Sequence, residues 1–212
     1  MKHVIGNKEY NIIDSWDELT LGQYIEYVKV ETTTFDTVEE KNIRVIEILC
    51  GLVLDGLDNL TYLEYNELQT LMIEKINSLP SLDIYIAKSF DKTFEINGIT
   101  YVTQTPETLN DVTLGEKISI STLQSAHTGH VLDFVTTLSA ILIRPGKLVK
   151  DIETNIEVYE IEPFNKRDIK NMEYRKELFL KEAKAKDIIP VYNFFLSGIK
   201  QLLMGSISSL PE

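Results

Sequence analysis

One stretch of the chain, residues 130–145, constrains the fold more than any other. It has the sequence HVLDFVTTLSAILIRP, and its apolar residues recur at the spacing of one helical face: Val131, Phe134, Val135, Leu138, Ile141 and Leu142. This spacing predicts an amphipathic helix with its apolar side against a core, and with Thr136 and Ser139 largely off that side. Pro145 and Gly146 should end it. We therefore expect the central helix of the core here. The stretch contains no catalytic or ligand-binding motif.

The rest of the chain predicts an α+β fold that is mostly α-helical, with about six helices and one or two small β-hairpins. The chain has 212 residues, of which 43% are hydrophobic, so residues 1–212 can form a single domain with a proper core. Capping boxes at Thr20-x-x-Gln23 and Thr37-x-x-Glu40 predict the starts of two helices. The second helix should run from about Val38 to Leu54 and be deeply buried. Glu40, Arg44 and Glu47 should mark its narrow solvent-exposed face.

Three further helices and two hairpins complete the prediction. Helices are expected over residues 61–78, over a charged segment from about Asn165 to Lys186, and from Pro190 onward. Residues 2–13 should form a hairpin around Gly6-Asn7. Asn97-Gly98, between alternating apolar residues, predicts a second hairpin with a type I′ turn, because both central residues of that turn need positive φ. Residues 146–164 should be irregular or extended.

A short internal sequence repeat raises the question whether part of the fold is duplicated. Residues 18–23 (ELTLGQ) resemble residues 111–116 (DVTLGE), and each copy follows a predicted hairpin. Two interpretations stay open. The segments are either two similar helix caps, or parts of a duplicated hairpin-plus-cap unit around residues 2–30 and 94–124.

No local motif in the sequence predicts catalysis. It contains no Gly-rich phosphate loop, no nucleophile elbow, no H-E-x-x-H and no paired cysteines. Cys50, the single cysteine, lies in an apolar run and is expected to be buried. His127, His130 and Asp133 could share a metal on one helical face, although incidental histidines at a helix start are the favoured interpretation. We expect a protein that is not an enzyme and that needs no metal or other cofactor.

Charge excludes some partners and suggests another. The net charge of −12 argues against free-standing binding to nucleic acid or to anionic membranes, and no segment is apolar enough to span a bilayer or to act as a secretory signal. Residues 166–186, however, hold eight basic and four acidic residues, a net +4, so the rest of the chain carries −16.

Three interpretations of this basic segment stay open. It is a solvated helix with internal ion pairs, or a basic face that meets the acidic surface of the next copy, or an incidental DNA contact within an assembly. If copies meet, the candidate subunit-contact residues are Lys166, Arg167, Lys170, Arg175, Lys176, Phe194 and Phe195.

The order of parts resembles a known class of proteins. It includes SWDELTL at residues 15–21, TLGE at 113–116, L-x-x-ILIRP at 138–145, Tyr174-Arg175 in the charged helix and Asn193-Phe194-Phe195 in the last helix. This order resembles small virion or assembly proteins of tailed bacteriophages, particularly the neck and tail ring proteins of crAss-like phages. Tail assembly chaperones share a similar helical pattern.

The resemblance implies a non-enzymatic subunit that forms a cyclic homo-oligomer in the head-to-tail connector or tail. Its partners would be copies of itself and other connector or tail proteins. It would reside in the virion after assembly in the host cytoplasm. The alternative that the resemblance implies is an assembly chaperone, which binds an unassembled structural protein.

Overall fold

The computed structural model describes residues 2–82, 92–103, 116, 119–120, 122–123, 131–152, 155–165, 167 and 169–192. Its contacts cluster into two units. Unit 1 comprises Met1–Lys88 with Lys184–Lys186, and unit 2 comprises Ser89–Ala183 with Asp187–Glu212. The prediction that the chain forms one domain stays a prediction. The α+β class is confirmed, with helices predominating and two small antiparallel sheets.

The described part of unit 1 contains a hairpin followed by three long helices. The strands are β1 (Lys2–Ile5) and β2 (Lys8–Asn11), and a 3-10 turn at Trp16–Glu18 leads into α1 (Leu21–Thr32), α2 (Val38–Leu49) and α3 (Tyr62–Ser78). Helix α2 packs against α1 and α3, and α3 also contacts β1. The predicted hairpin is confirmed, with Gly6 at φ 58° in its turn. The fully buried side chains of this unit include Ile5, Ile12, Leu19, Leu21, Leu49, Leu68 and Met72.

All three helices of unit 1 start with the same capping device. The predicted boxes at Thr20–Gln23 and Thr37–Glu40 are both present, and α3 begins with a third, at Thr61–Glu64. In each box the threonine hydroxyl accepts from the backbone N–H three residues on, and the longer side chain accepts from the N-cap N–H. These bonds satisfy donors that a helix start leaves without an intrahelical partner.

Two predictions about α2 were wrong. The helix ends at Leu49 rather than Leu54, because Gly51 adopts φ 68° and the N–H groups of Gly51 and Leu52 bond to the carbonyls of Ile48 and Glu47, which closes the helix in a Schellman motif. Glu47, expected on the solvent-exposed face, is 1% exposed and pairs with Arg44 at 3.3 Å.

Unit 2 is built on a four-stranded antiparallel sheet. Its strands, in spatial order, are β3 (Thr93–Ile96), β4 (Ile99–Thr103), β5 (Ile143–Lys150) and β6 (Glu157–Ile161). The predicted type I′ turn between β3 and β4 is confirmed by Asn97 at φ 52° and Gly98 at φ 74°. The longer helices of its described part are α4 (Val131–Leu142) and α5 (Ile169–Glu182). Residues 185–192, of which 187–192 belong to this unit, are also helical. An aromatic cluster of Phe94, Tyr101 and Phe179 joins the sheet to α5, with ring centroids 5.3–6.1 Å apart.

Helix α4 is buried as expected, and more completely than its pattern predicts. Phe134, Val135, Leu138, Ile141 and Leu142 are all buried, which confirms the predicted stripe at these positions. Thr136 and Ser139, expected off the stripe, are buried too, at 5% and 2% exposure. The reason is packing on more than one side, since α4 contacts both α5 and β5.

The last helical segment starts earlier than predicted. Residues 185–192 are helical, so Pro190 lies inside this run rather than in its first turn. The missing proline N–H removes one helical bond. Ile188, Ile189 and Val191 are 0–5% exposed, and their burial offsets that loss.

The third capping box predicts a specific loss of stability. Thr61→Ala removes the hydroxyl that caps α3 and should lower the free energy of unfolding by about 1 kcal/mol. Thr70→Ala is the matched control, because Thr70 lies within the same helix and its hydroxyl bonds only the Asn66 carbonyl. The control should be neutral or slightly stabilising. Urea denaturation followed by circular dichroism measures both changes, and equal effects would contradict the role of the cap.

Burial of Cys50 predicts an unreactive thiol. The side chain is 7% exposed, and burial raises the pKa of its thiol to about 12, so thiolate is present only in traces at pH 8. We expect a disulfide reagent to label the native protein only at the rate at which it unfolds, and to label it at once in denaturant. Rapid labelling of the native protein would show that this part of unit 1 opens without unfolding.

Candidate interaction surface

The feature of unit 2 that points to function is a hairpin formed by β5 and β6, here called the arm (residues 143–161). Leu148 pairs with Tyr159, and Val149 with Val158. At the tip the N–H of Asp151 bonds to the Ile156 carbonyl at 2.9 Å, and Asn155 adopts φ 58°. The strands confirm that residues 146–164 are partly extended, but the sequence did not predict that they pair.

The arm exposes an unusual amount of apolar surface. Leu148, Val158 and Tyr159 on its strands are 52%, 42% and 41% exposed, and Ile152 and Ile156 at its tip are 98% and 62% exposed. Single exposed apolar side chains are ordinary on protein surfaces. Several on one hairpin make it a candidate interaction site, because exposed apolar surface in water costs free energy unless a partner covers it. The register places Leu148 and Tyr159 on one face of the hairpin, and Val158 on the other.

The outer edge of the arm offers backbone groups for a partner. The N–H of Glu162 bonds to the Pro145 carbonyl at 2.8 Å, so the pair Gly146–Ile161 is a non-hydrogen-bonded one. Hydrogen-bonded and non-hydrogen-bonded residue pairs alternate along an antiparallel ladder. Glu157, Tyr159 and Ile161 therefore all lie in non-hydrogen-bonded pairs, and their N–H and C=O groups point away from β5. No strand within the described residues pairs with this side of β6. An exposed edge of this kind can take part in association.

A groove of about 820 Å³ lies on the sheet at the base of the arm. Gly146 is one of its lining residues, and an added Cβ there would come 2.5 Å from a methyl group of Val102. A larger residue at this position would therefore clash with Val102. The groove is lined by parts of β4, β5 and β6, including Ile99, Thr100, Leu148, Tyr159, Ile161 and Pro163.

Arg144 anchors the arm to the rest of unit 2. The register places Pro145 opposite Glu162, and proline has no N–H, so the Glu162 carbonyl lacks its usual backbone donor there. A guanidinium nitrogen of Arg144 donates to this carbonyl at 2.6 Å, and the other terminal nitrogen meets the Glu116 carboxylate, also at 2.6 Å. Both side chains are buried, at 6% and 0% exposure. Burial lowers the pKa of Arg144, and the Glu116 charge opposes that effect.

The structure divides the predicted subunit-contact residues into four groups, the fourth of which is Arg175 alone. Arg167 and Lys170 are exposed, so they are available to a partner. Lys176 is half-buried and pairs with Glu173 at 3.1 Å. Lys166, Phe194 and Phe195 lie outside the described residues.

Arg175 requires a correction. It is 8% exposed, and its Nε donates to the Ala140 carbonyl at 2.9 Å, so it serves the interior of unit 2 and is not an exposed contact. Its position among charged residues of the helix gave no sign of this. The reason is that the acceptor lies on α4, 35 residues away in sequence.

Two further lysines of the basic segment are also engaged within the chain. Lys184 donates to the Glu18 carbonyl at 3.2 Å, and Lys186 pairs with Asp17 at 2.5 Å, both within unit 1. The basic residues of this segment that are exposed within the described part of the chain are Arg167 and Lys170, at the start of α5, and Lys181, near its end.

The sequence interpretation missed the arm, although a signal was present. Residues 157–161, EVYEI, alternate and contain β-branched and aromatic residues, a pattern typical of a strand. Residues 143–150 are interrupted by Pro145 and Gly146, which obscured the partner strand. The second copy of the internal sequence repeat lies outside the described residues except for Glu116.

The histidines that could share a metal, His127 and His130, also lie outside the described residues, as does the side chain of Asp133. Within the described part of the chain, no group of three or more His, Cys, Asp or Glu residues is placed to hold a metal ion. None of the helices in that part combines the length and apolar character needed to cross a bilayer.

None of the family models, curated proteins or solved structures compared with this chain matches it. The resemblance to tailed-phage proteins therefore stays a prediction from the sequence, and the arm is the structural observation that bears on function.

The anchor of the arm predicts non-additive mutations. Glu116→Leu leaves a buried cation without its partner and should cost about 3–5 kcal/mol of unfolding free energy. Arg144→Met removes both donors and should cost a similar amount. The double variant should lose less than the sum, because no unpaired charge remains. Denaturant titration of the four proteins measures the coupling, and strictly additive losses would show that the pair is not a unit.

Proposed function

We propose that this chain is a non-enzymatic structural subunit of a tailed bacteriophage particle, which forms an oligomeric ring in the head-to-tail connector or tail. The observation that carries the proposal is the arm, with its free outer edge and its exposed apolar side chains. An apolar edge of this kind is a liability for a free monomer, and it is useful to a subunit whose neighbours cover it. The order of sequence motifs that resembles phage ring proteins supports the same conclusion.

The exposed arm also suits the alternative function, an assembly chaperone. A chaperone that holds an unassembled tail or capsid protein needs an accessible apolar surface, and Ile152, Ile156 and Tyr159 provide one within the described residues. The two functions differ in the fate of the chain. A ring subunit remains in the mature particle, whereas a chaperone leaves it.

A ring subunit should assemble into a closed, defined oligomer. We expect light scattering at physiological salt to give a mass that is a fixed multiple of 24.3 kDa, and negative-stain electron microscopy to show rings. Each contact between subunits should bury more than about 1,000 Å². The mass should fall at high salt, because part of the attraction is between charged surfaces.

The fate of the chain separates the two functions. Mass spectrometry of purified mature particles of the phage that encodes the chain should detect it in stoichiometric amounts. A chain that is absent from those particles, and that forms no ring either alone or with connector proteins, would contradict the ring proposal. Absence from particles together with binding to one unassembled structural protein would establish the chaperone function instead.

A further inference from the structure

We infer that the arm of one copy docks on the start of helix α5 of the next copy, around residues 167–174, so that the contact is head-to-tail. This inference rests on the proposed function and names the two surfaces that would form the ring. Two exposed surfaces in unit 2 carry it, because they match each other in charge and in apolar character.

The first surface is the outer side of the arm, which is acidic and apolar. Strand β6 is the outer strand and carries Glu157 and Glu160, while the lysines opposite them lie on the inner strand β5. Neither glutamate forms an ion pair within the described residues. Val158 and Tyr159 lie between them and are 42% and 41% exposed. A partner at this edge therefore meets carboxylates and apolar side chains together.

The second surface is the start of α5, which is basic and apolar. Arg167 and Lys170 are exposed and form no ion pair within the described residues. Ile169 and Tyr174 are 64% and 59% exposed, although they belong to a helix that buries Phe179 on another side. Lys170 and Tyr174 are four residues apart, so they lie on one face of the helix.

Two further properties of α5 favour an acidic partner. Its first turn contains no acidic residue, and the N-terminal end of a helix carries partial positive charge. Although Asp168 offsets one charge in the sequence, residues 166–170 still contain three basic residues. The start of α5 is thus the described surface best suited to the glutamates of the arm.

Charge also decides between the ways in which two copies could meet. If two β6 edges paired with each other, Glu157 and Glu160 of both copies would come together, and like charges on paired strands repel. A contact between the arm and α5 brings opposite charges together instead. Because the two surfaces differ, each copy keeps one of them free, and repetition of the contact leads to a ring or an open filament.

Charge reversal tests this contact directly. The acid-reversed variant is Glu157→Lys/Glu160→Lys, and the base-reversed variant is Arg167→Glu/Lys170→Glu. Either change places like charges across the contact and should weaken association by at least about tenfold in apparent Kd. Glu67→Lys/Glu74→Lys is the control for the acid-reversed variant, because it makes the same change in net charge at two exposed positions of α3.

Mixing the two reversed variants is the decisive experiment. Each alone should associate more weakly than the wild type. A reversed arm matches a reversed α5, and the unchanged surfaces match as before, so an equimolar mixture should associate again beyond the dimer. Because the two variants must alternate, the mixture should recover the wild-type mass when the ring has an even number of subunits. Sedimentation velocity measures the masses, and circular dichroism shows that each variant is folded. If the acid-reversed variant loses its strands, the base-reversed variant, which changes only exposed positions at the start of α5, still tests the contact alone.

The remaining outcomes overturn the inference in different ways. A mixture that stops at a dimer indicates edge-to-edge pairing of arms. Wild-type association that neither reversal weakens places the contact elsewhere and leaves the ring proposal intact. A wild-type chain that stays monomeric at high concentration rules out this contact between free copies, and the ring proposal is then decided by the chain's presence in particles.

Discussion

A proline inside a sheet leaves a carbonyl without its donor, and in this protein a buried arginine supplies one. Arg144 donates to the Glu162 carbonyl opposite Pro145, and it also holds Glu116, which belongs to a distant part of the chain. An unpaired buried carbonyl costs about 1–3 kcal/mol, and an unpaired buried charge costs more. One side chain therefore joins the start of the arm to the buried Glu116 carboxylate, and it compensates for the donor that Pro145 lacks.

The parts of the fold that could be predicted are those specified by residues close together in sequence. Thr20 with Gln23, and Asn97 with Gly98, each specify a helix start or a turn without help from the rest of the chain, and both predictions are confirmed. Prediction failed where a distant residue decides the outcome. Lys186 is paired with Asp17, 169 residues away in sequence, and Arg175 donates to the Ala140 carbonyl, 35 residues away. Periodicity contains no information about such partners.

In the candidate interaction surface, too, some features could be predicted from nearby residues and others could not. Exposed Arg167 and Lys170 could be identified from their charge alone, but Arg175, five residues further on, is buried. When a helix carries charged residues on several sides, its solvent-exposed face cannot be predicted until the neighbouring elements are known. The arm was missed because β5 contains residues that normally break a strand, and the Arg144 guanidinium supplies the donor that Pro145 lacks. The rule that proline interrupts a strand fails at Pro145, where the structure adds a specific compensating contact. Positions at which such sequence rules fail are often functional ones.

The proposed contact between copies has to overcome the net charge of the chain. Copies that each carry −12 repel one another at long range, yet the Debye length at physiological salt is only about 8 Å. Repulsion between distant parts of two copies is therefore largely screened, while carboxylates and guanidinium groups in direct contact still attract. An acidic protein with a small basic face is in this respect better suited to a directional contact than a neutral one. In the contact proposed here, copies would repel each other in most orientations and attract in one, which would make their association specific.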